Sequence, residues 1–306
     1  MQQTLTKDVK LVGTGLHSGR PARICVSPAP VGHGIYFRRT DIQDRDNLVA
    51  ARWDNVSDTV LNTRVSNADG VEVSTIEHLM AAIAGCGIHN ALIDIDGPEV
   101  PIFDGSSVRF AKAFLEAGVV PQDAPVKMIR ILKPVRVERG DAYAELNPHQ
   151  GFEIDYSIEF SDPVIGRQSL RQDLSNGAFL RELADCRTFC RKADVDALHS
   201  QGLALGGSLD NAIVVDGDDI LSPGGFRRVD ECVRHKMLDA LGDMSLAGAP
   251  IMGSYRGHKA GHALTNALLR KLFAMEGAYV VETADHSADQ HLPGMQLKAR
   301  DLASVG

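Results

Sequence analysis

The sequence predicts an α+β fold built from two similar domains. A chain of 306 residues is more often two domains than one. Each half reads as β-prone runs followed by two helical segments with a strand between them. This order indicates a duplicated unit, although no residue-level repeat accompanies it. A polar stretch bounded by prolines, residues 121–125, separates the halves. We therefore place the domains at residues 1–124 and 125–306.

The first domain begins with strands and turns and changes period near residue 74. The turn sequence Asn67-Ala-Asp-Gly70 predicts a hairpin. The capping-box sequence Ser74-Thr-Ile-Glu77 predicts the start of a helix, in which Glu77 would stabilise the N-terminus. The elements predicted for this half are strands at residues 23–27, 34–38, 62–66, 71–73 and 91–95, and helices at residues 74–85 and 104–118.

The second domain repeats this order and contains a small insertion. Residues 203–215 hold Gly206-Gly207 and then an apolar run, which is typical of an insertion that ends in a strand. A glycine-rich connection joins the last two helices. The elements predicted here are strands at residues 127–132, 135–138, 142–146, 153–160 and 278–282, and helices at residues 176–192, 228–248 and 263–274.

The predicted helix at residues 228–248 carries an imidazole and two carboxylates at intervals of one turn. His235 and Asp239 are four residues apart and share one face, and Asp243 extends the stripe by another turn. By itself this pattern is also compatible with a solvated polar face. A second, apolar stripe on roughly the opposite face suits a core and comprises Val233, Met237 and Leu241.

Composition excludes several classes of protein. The formal charge of −8 argues against nucleic acid as the main partner. The first ten residues are polar and no long apolar core follows, so nothing here resembles a secretory signal and we expect none. No run approaches the roughly 20 apolar residues of a transmembrane segment. Five cysteines at irregular spacing indicate reduced, buried thiols in a cytoplasm. With no coiled-coil pattern, we expect a cytoplasmic monomer.

Two imidazoles and a carboxylate suit an open zinc site, with three protein ligands and a fourth position for water. Glu77 is next to the candidate ligand His78 and could act as a base. His262, at the start of the last helix, could donate a proton, and Asp243 could hold that imidazole protonated. The candidate ligands are His78, His235 and Asp239.

Each of these residues also has a purely structural interpretation. Glu77 occupies the last position of the capping box, and a lone histidine such as His78 is more often packed in a core than bound to metal. His262 could face water at a helix start, and Asp243 could be a surface charge. The sequence contains no His-Glu-x-x-His motif, so spacing alone leaves both interpretations open.

Five motifs, in order along nearly the whole chain, resemble one known family. They are Gly13-Thr-Gly-Leu-His-Ser-Gly19, Ser74-Thr-Ile-Glu-His-Leu79, Pro101-Ile-Phe-Asp-Gly-Ser106, His235-Lys-Met-Leu-Asp239 and Lys259-Ala-Gly-His-Ala-Leu264. With these motifs the chain resembles the UDP-3-O-acyl-N-acetylglucosamine deacetylases. Members of that family are zinc amidases that commit UDP-N-acetylglucosamine to lipid A synthesis.

The resemblance implies a catalytic role at specific positions. Glu77 would be the general base, and His262 the general acid, partnered by Asp243. The hydroxyl of Thr188 would help to stabilise the oxyanion. The chain would bind one catalytic Zn²⁺, and Fe²⁺ is an alternative in the cell because these ligand types accept either metal. The implied metal ligands are His78, His235 and Asp239.

The resemblance also implies how the substrate is held. Lys236 would contact the nucleotide phosphates, Phe189 would contact the substrate, and His17 would lie near the site. Residues 193–215 would form a β-α-β insert with an apolar passage for the fatty acyl chain. Each domain would layer helices against a sheet, with the active site between the domains. The expected reaction removes the N-acetyl group of UDP-3-O-(3-hydroxyacyl)-N-acetylglucosamine and releases acetate.

Two other functions remain open at this point. One is a zinc amidase with the same site that acts on a different acylated sugar nucleotide. The other is a non-catalytic sugar-nucleotide binding protein with a structural zinc. A structural site is normally closed by four protein ligands, whereas three candidates converge here. Zinc content and acetate release, measured together, discriminate among the three.

Overall fold

The computed structural model describes residues 1–200, 202–295, 297 and 301. The first half is a mixed α/β unit that begins with strands and includes a short 3₁₀ turn at Trp53–Asn55. Its elements are β1 (Gln3–Leu5), β2 (Val9–Thr14), β3 (Pro21–Pro28), β4 (Ile35–Arg39), β5 (Leu48–Ala50), β6 (Val56–Asp58), β7 (Arg64–Ser66), β8 (Glu72–Val73), α1 (Glu77–Gly85), β9 (Ala91–Ile95), α2 (Val108–Ala117) and β10 (Val119–Pro121).

The second half has the same general order and contains the insertion. Its elements are β11 (Lys127–Ile131), β12 (Val135–Arg139), β13 (Ala142–Asn147), β14 (Phe152–Glu159), β15 (Arg167–Asp173), α3 (Ala178–Glu182), β16 (Phe189–Arg191), α4 (Lys192–Ser200), β17 (Ile213–Asp216), β18 (Asp219–Ile220), α5 (Glu231–Ser245), β19 (Ile251–His258), α6 (His262–Ala274), β20 (Tyr279–Thr283) and α7 (His286–Asp289).

The two halves share a five-strand pattern, to which β11 and β20 are added in the second half by the pairing of β11 with β19. In the first, the strand order is β2-β3-β9-β4-β5, with β9 antiparallel to β3 and parallel to β4. In the second, β12-β13-β19-β14-β15 has the same order, and β19 is antiparallel to β13 and parallel to β14. The outer pairs, β2 with β3 and β12 with β13, are both antiparallel. The predicted pair of similar α+β domains is therefore confirmed at the level of topology, without a repeated sequence.

The helices α1 and α5 occupy equivalent places in the two halves, and they pack directly against each other. The backbones approach closely at Gly242, where a Cβ atom would lie 2.1 Å from the carbonyl oxygen of Glu77. Only glycine permits this backbone separation. The contact brings the N-terminus of α1 against the C-terminal half of α5, next to Asp239 and Asp243.

The polar stripe of α5 is not a solvated face. His235, Asp239 and Asp243 are 2%, 5% and 4% exposed, respectively. Burial of polar and charged groups is costly unless they are paired, so each must have partners. This observation excludes the structural interpretation of the stripe as a solvent-facing surface.

The predicted capping box is wrong. α1 begins at Glu77 itself, Ile76 is the N-cap residue, and no side chain caps the helix. The hydroxyl of Ser74 donates instead to the carbonyl oxygen of Pro98, and Glu77 accepts from the backbone N–H of Thr63. Ser74 pairs with the strand-like segment beside it and so cannot reach the helix N-terminus. Glu77 is therefore free of a capping role.

The helix predicted at residues 176–192 is also wrong over most of its length. It is limited to α3, and the chain then runs into β16, which pairs in parallel with β17. α4 connects these two strands, so the expected β-α-β insert is present. It begins at Phe189 rather than at residue 193, because Phe189–Arg191 supplies the first strand.

The boundary between the domains stays a prediction. β10 pairs with β1 and closes the first half, and β11 starts the second sheet at Lys127. The predicted boundary after residue 124 falls between these strands. Among the described helices, none is both long and apolar enough to cross a membrane.

Candidate metal centre

Three side chains from α1 and α5 converge on one point. Nε2 of His78 lies 3.5 Å from Oδ1 of Asp239, and Nε2 of His235 lies 3.3 Å from the same oxygen. All three potential ligand atoms lie within 4.8 Å of one another, and all three residues are buried. Because His78 belongs to the first half and the other two to the second, the cluster exists only when the halves are packed together.

His235 is a neutral tautomer whose Nε2 presents a lone pair to the centre of this cluster. Burial lowers the pKa of His235 to about 3 despite the nearby carboxylate of Asp239, so the ring is neutral. Nδ1 lies 3.0 Å from the carbonyl oxygen of Cys186, an acceptor, so Nδ1 carries the proton. Nε2 then has no proton to offer Asp239. A backbone carbonyl on the other ring nitrogen is the usual way to orient a ligating histidine.

Asp239 completes a donor set that fits a metal ion. Burial alone would raise the pKa of Asp239, but the ammonium of Lys236 and the protonated ring of His262 favour the ionised carboxylate, and that pKa lies well below its ordinary value. Oδ1 has no hydrogen-bond partner among the described residues, nor has Nδ1 of His78. Nε2 of His235 and Oδ1 of Asp239 are therefore two buried acceptors that face each other with no proton between them, which is unfavourable. A bound cation would remove this cost, and two imidazoles with one carboxylate are a common open zinc or iron set.

Lys236 lies beside the cluster. Its Nζ donates to Oδ2 of Asp239 at 2.6 Å, and the side chain is 20% exposed. Burial disfavours the ammonium, but Asp239 outweighs that effect and raises the pKa of Lys236. The phosphate contact stays a prediction, and the ammonium contacts Asp239.

Glu77 lies in the first turn of α1, next to His78, with its carboxylate buried. Oε2 accepts a hydrogen bond of 3.0 Å from the backbone N–H of Thr63. Burial raises the pKa of Glu77, and the nearby rings of His262 and His78 oppose that rise. A buried, basic carboxyl group next to a candidate metal ligand can accept a proton.

Asp243 and His262 form a second pair, close enough to Glu77 for the carboxylate of Glu77 to affect the pKa of His262. Nδ1 of His262 lies 2.7 Å from Oδ2 of Asp243, and Oδ1 accepts from the hydroxyl of Thr63 at 2.6 Å. Burial would lower the pKa of His262, but Asp243 and Glu77 outweigh it and raise that pKa to about 9. The imidazole is therefore protonated at neutral pH.

Of the three remaining predicted residues, Phe189 and Thr188 lie beside His235, whereas the contacts of His17 are with the insert and Glu99. Phe189 packs edge-to-face on His235, with ring centroids 6.4 Å apart. Thr188 precedes it, two residues after the Cys186 carbonyl that binds His235. His17 is bound to the insert, because its carbonyl oxygen accepts from the backbone N–H of Leu205. Burial lowers the pKa of His17, and its Nε2 has no partner among the described residues.

Sequence reasoning missed several buried residues that hold the site. Thr63 binds both Glu77 and Asp243. Glu99 accepts from the backbone N–H groups of His17 and Ser18, and so fixes that loop. Glu231 is fully buried in a salt bridge with Arg187. Only Glu231 had a signal in the sequence, because it lies one turn before His235 on the same stripe.

A cavity of about 640 Å³ lies away from this centre, and its walls are mainly apolar. Its walls include Met80 and Ile83 of α1 and Leu241 and Met244 of α5. None of the predicted site residues lines it. The chemistry is therefore assigned to the polar cluster and not to this larger space.

Comparison with known proteins agrees with the geometry. The chain matches the family of UDP-3-O-acyl N-acetylglycosamine deacetylases over residues 2–274. A UDP-3-O-acyl-N-acetylglucosamine deacetylase of Phenylobacterium zucineum is 48% identical over 282 residues, covering 92% of this chain and 96% of the relative. The enzyme of the same name from Shewanella frigidimarina is 45% identical over 290 residues, covering 94% of each. That from Shewanella violacea is 45% identical over 280 residues, covering 91% of each. The chain therefore belongs to the UDP-3-O-acyl N-acetylglycosamine deacetylase family.

Proposed function

We propose that this chain is a metal-dependent deacetylase in which Glu77 and His262 perform the proton transfers. The substrate is UDP-3-O-(3-hydroxyacyl)-N-acetylglucosamine, and the products are acetate and UDP-3-O-(3-hydroxyacyl)-glucosamine, in the committed step of lipid A biosynthesis. Family membership supports this reaction. One observation carries the mechanism: Glu77 and His262 lie near a buried His₂Asp cluster, and the pKa values of both are raised. A raised pKa makes the carboxylate a better base and keeps the imidazole protonated as an acid.

The metal ion would be held by His78, His235 and Asp239. When bound, it supplies Lewis acidity towards the amide carbonyl and towards water. We propose Zn²⁺ as this metal and Fe²⁺ as an alternative in the cell, because the donor set accepts both. The Cys186 carbonyl keeps His235 in the tautomer that such a site requires.

Glu77 is proposed as the general base. Its carboxylate takes a proton from the water that attacks the acetamide carbon, which is the step for which a basic, buried carboxyl group is suited. The backbone N–H of Thr63 occupies Oε2, and this hydrogen bond fixes the carboxyl group while Oε1 receives the proton. Glu77 directly precedes the proposed ligand His78 at the start of α1, which supports this role.

His262 is proposed as the general acid. An amide nitrogen cannot leave as an anion, so it must receive a proton as the C–N bond breaks. Nδ1 of His262 is held by Asp243, so Nε2 is the atom that donates. The raised pKa of about 9 keeps this proton available at neutral pH. Such a proton transfer is typically worth about 10²–10⁴-fold in rate.

The remaining assignments concern the substrate. The hydroxyl of Thr188 donates to the oxyanion, and loss of one such donor typically costs about 10²–10³-fold in rate. Lys236 binds the nucleotide phosphates, which requires it to exchange its contact with Asp239 for the substrate. Phe189 and His17 contact the substrate beside the β-α-β insert, which receives the acyl chain. We further propose a cytoplasmic monomer with domains at residues 1–124 and 125–306.

Acetate release and metal content, measured on the same preparation, test this function. Acylated UDP-N-acetylglucosamine should release one acetate per turnover, and unacylated UDP-N-acetylglucosamine should react far more slowly because it cannot fill the insert. The non-acetylated product should carry a free amine. A protein that binds one metal ion and the acylated nucleotide but releases no acetate would instead be a binding protein.

A further inference from the structure

Glu231 occupies the position one turn before His235 on the stripe that carries the metal ligands. Its side chain is fully buried, at 0% exposure, and its partner Arg187 is 8% exposed. Burial of two charges is expensive, and a buried ion pair is often no more stable than a packed apolar pair. A stabilising role alone therefore does not explain this pair.

The carboxylate of Glu231 accepts hydrogen bonds from two peptide groups as well as from a guanidinium. Oε1 accepts from the backbone N–H and from Nε of Arg187, both at 3.0 Å. Oε2 accepts from Nη2 of Arg187 at 3.2 Å and from the backbone N–H of Arg227 at 2.6 Å. Nη2 of Arg187 also donates to the carbonyl oxygen of Gly225. One side chain thus joins α5, the loop before it and the segment before β16.

The peptide that Glu231 holds is directly connected to the metal centre. The N–H of Arg187 belongs to the same peptide unit as the Cys186 carbonyl, which receives the proton of His235 Nδ1. The next residue, Thr188, binds the carbonyl oxygen of Gly105 through its N–H. Glu231 therefore holds one end of the peptide group whose other end orients a metal ligand.

We propose that Glu231 is a positioning residue for the reaction, acting through the Cys186–Arg187 peptide to orient His235 and to place Thr188. This inference rests on the proposed metal site. The resulting chain of contacts runs from α5 to the Cys186–Arg187 peptide and back to α5 one turn later. Such a closed loop fixes both the ring plane of His235 and the register of the segment that carries Thr188. An apolar pair of the same volume would fill the space but could not hold the peptide.

The test is the metal affinity of the Glu231→Gln protein together with its kinetics. The amide of Gln keeps the size of the side chain, but its NH₂ group would face N–H donors of Arg187 or Arg227. One of the two positions that now accept hydrogen bonds would therefore be lost. We expect the dissociation constant for Zn²⁺ to rise by roughly 10- to 100-fold, as for other groups that support metal ligands. We expect kcat to fall at saturating Zn²⁺, with KM changed much less. The visible spectrum of the Co²⁺-substituted protein should also change, because the coordination of His235 changes.

The matched control is Glu182→Gln. Glu182 also forms an ion pair with an arginine that lies on α5, Arg234, at 2.8 Å, but its carboxylate makes no hydrogen bond to a proposed ligand or to the Cys186–Arg187 peptide among the described residues. If Glu231→Gln and Glu182→Gln lose similar thermal stability and neither changes the metal affinity or kcat, Glu231 is merely structural and the inference is overturned.

A second substitution covers the case in which Glu231→Gln does not fold. Arg187→Lys keeps the positive charge but loses the planar fork that binds both carboxylate oxygens, and it should weaken Zn²⁺ binding in the same direction. His235→Ala separates the two proposals. If it leaves Zn²⁺ affinity unchanged, the metal site itself is wrong; if it abolishes binding while both other variants bind normally, only the role of Glu231 is wrong.

Discussion

Nδ1 of His262 lies 2.7 Å from Oδ2 of Asp243, and this contact joins the start of α6 to the last turn of α5. The other carboxylate oxygen is occupied by the hydroxyl of Thr63 from the first half. One carboxylate therefore fixes the tautomer and the charge of the proposed acid and also joins the two halves. Its loss should affect the pH dependence of the reaction before it affects substrate binding.

We predict that Asp243→Asn moves the alkaline limb of the pH–kcat profile to lower pH. The pKa of His262 is raised to about 9, so the acid is protonated at neutral pH and activity is lost as the pH rises through that value. Without the carboxylate, burial lowers the pKa, and the limb should move by more than about one pH unit. By linkage, the stability gained from this proton is full below the ordinary pKa of histidine and is lost as the pH rises through about 9.

The measurement is kcat between pH 5 and about pH 10 for the wild type and Asp243→Asn at saturating metal. His262→Gln serves as the control, because it should lower kcat at every pH and remove the limb. An alkaline limb at the same pH in the wild type and in Asp243→Asn would show that His262 is not the group responsible.

We predict that Glu77→Gln lowers kcat by roughly 10²–10⁴-fold, because the amide cannot accept the proton of the attacking water. Gln keeps an oxygen for the N–H of Thr63, so the fold and the metal content should be retained. The measurements are acetate release and metal per chain. Glu72→Gln, a change in the exposed ion pair with Arg64 in the same half, should leave both unchanged. Near-normal turnover of Glu77→Gln would remove it as the base.

Spacing along α5 was sufficient to predict part of the site. An interval of four residues places side chains on one helix face whatever the surrounding fold, so His235, Asp239 and Asp243 could be grouped from sequence. Their burial, and the partners His78 and His262 from other helices, could not be grouped this way, because contacts between elements depend on how the halves pack. The residues themselves offered His78 and His262 only as candidates, with a purely structural interpretation beside each, and the family resemblance favoured the catalytic interpretation.

Two predictions failed because local signals compete with tertiary contacts. Ser74 and Glu77 match a capping box, but the backbone beside Ser74 pairs with Glu99 and holds it away from the helix end. Residues 176–192 have a helical pattern, yet Gly177 is in a left-handed conformation and Phe189 joins a strand pair with β17. The role of Glu231 was missed because a glutamate in the first turn of a helix is ordinarily explained by the helix dipole.

We predict that removal of the metal abolishes acetate release and that readdition restores it. The buried acceptors of His235 and Asp239 face each other at 3.3 Å, so the metal-free protein should also be less stable. Dialysis against a chelator, followed by titration with Zn²⁺ or Fe²⁺ and measurement of activity and thermal unfolding, tests this. Asp239→Asn should bind metal weakly, whereas Asp285→Asn, outside the cluster, should bind normally. Full activity of a verified metal-free protein would contradict the proposed mechanism.

We predict that Gly242→Ala lowers both stability and kcat. A Cβ at this position would lie 2.1 Å from the carbonyl oxygen of Glu77, and backbone cannot move aside as a flexible side chain can. The helices α1 and α5 must then separate, which should cost about 1–3 kcal/mol and displace Glu77 and His78 from the α5 residues. Gly97→Ala is the matched control, because a Cβ there meets nothing within 4 Å. Thermal unfolding and metal affinity of both variants provide the measurement. If Gly242→Ala behaves like Gly97→Ala in both, the close helix contact does not assemble the site.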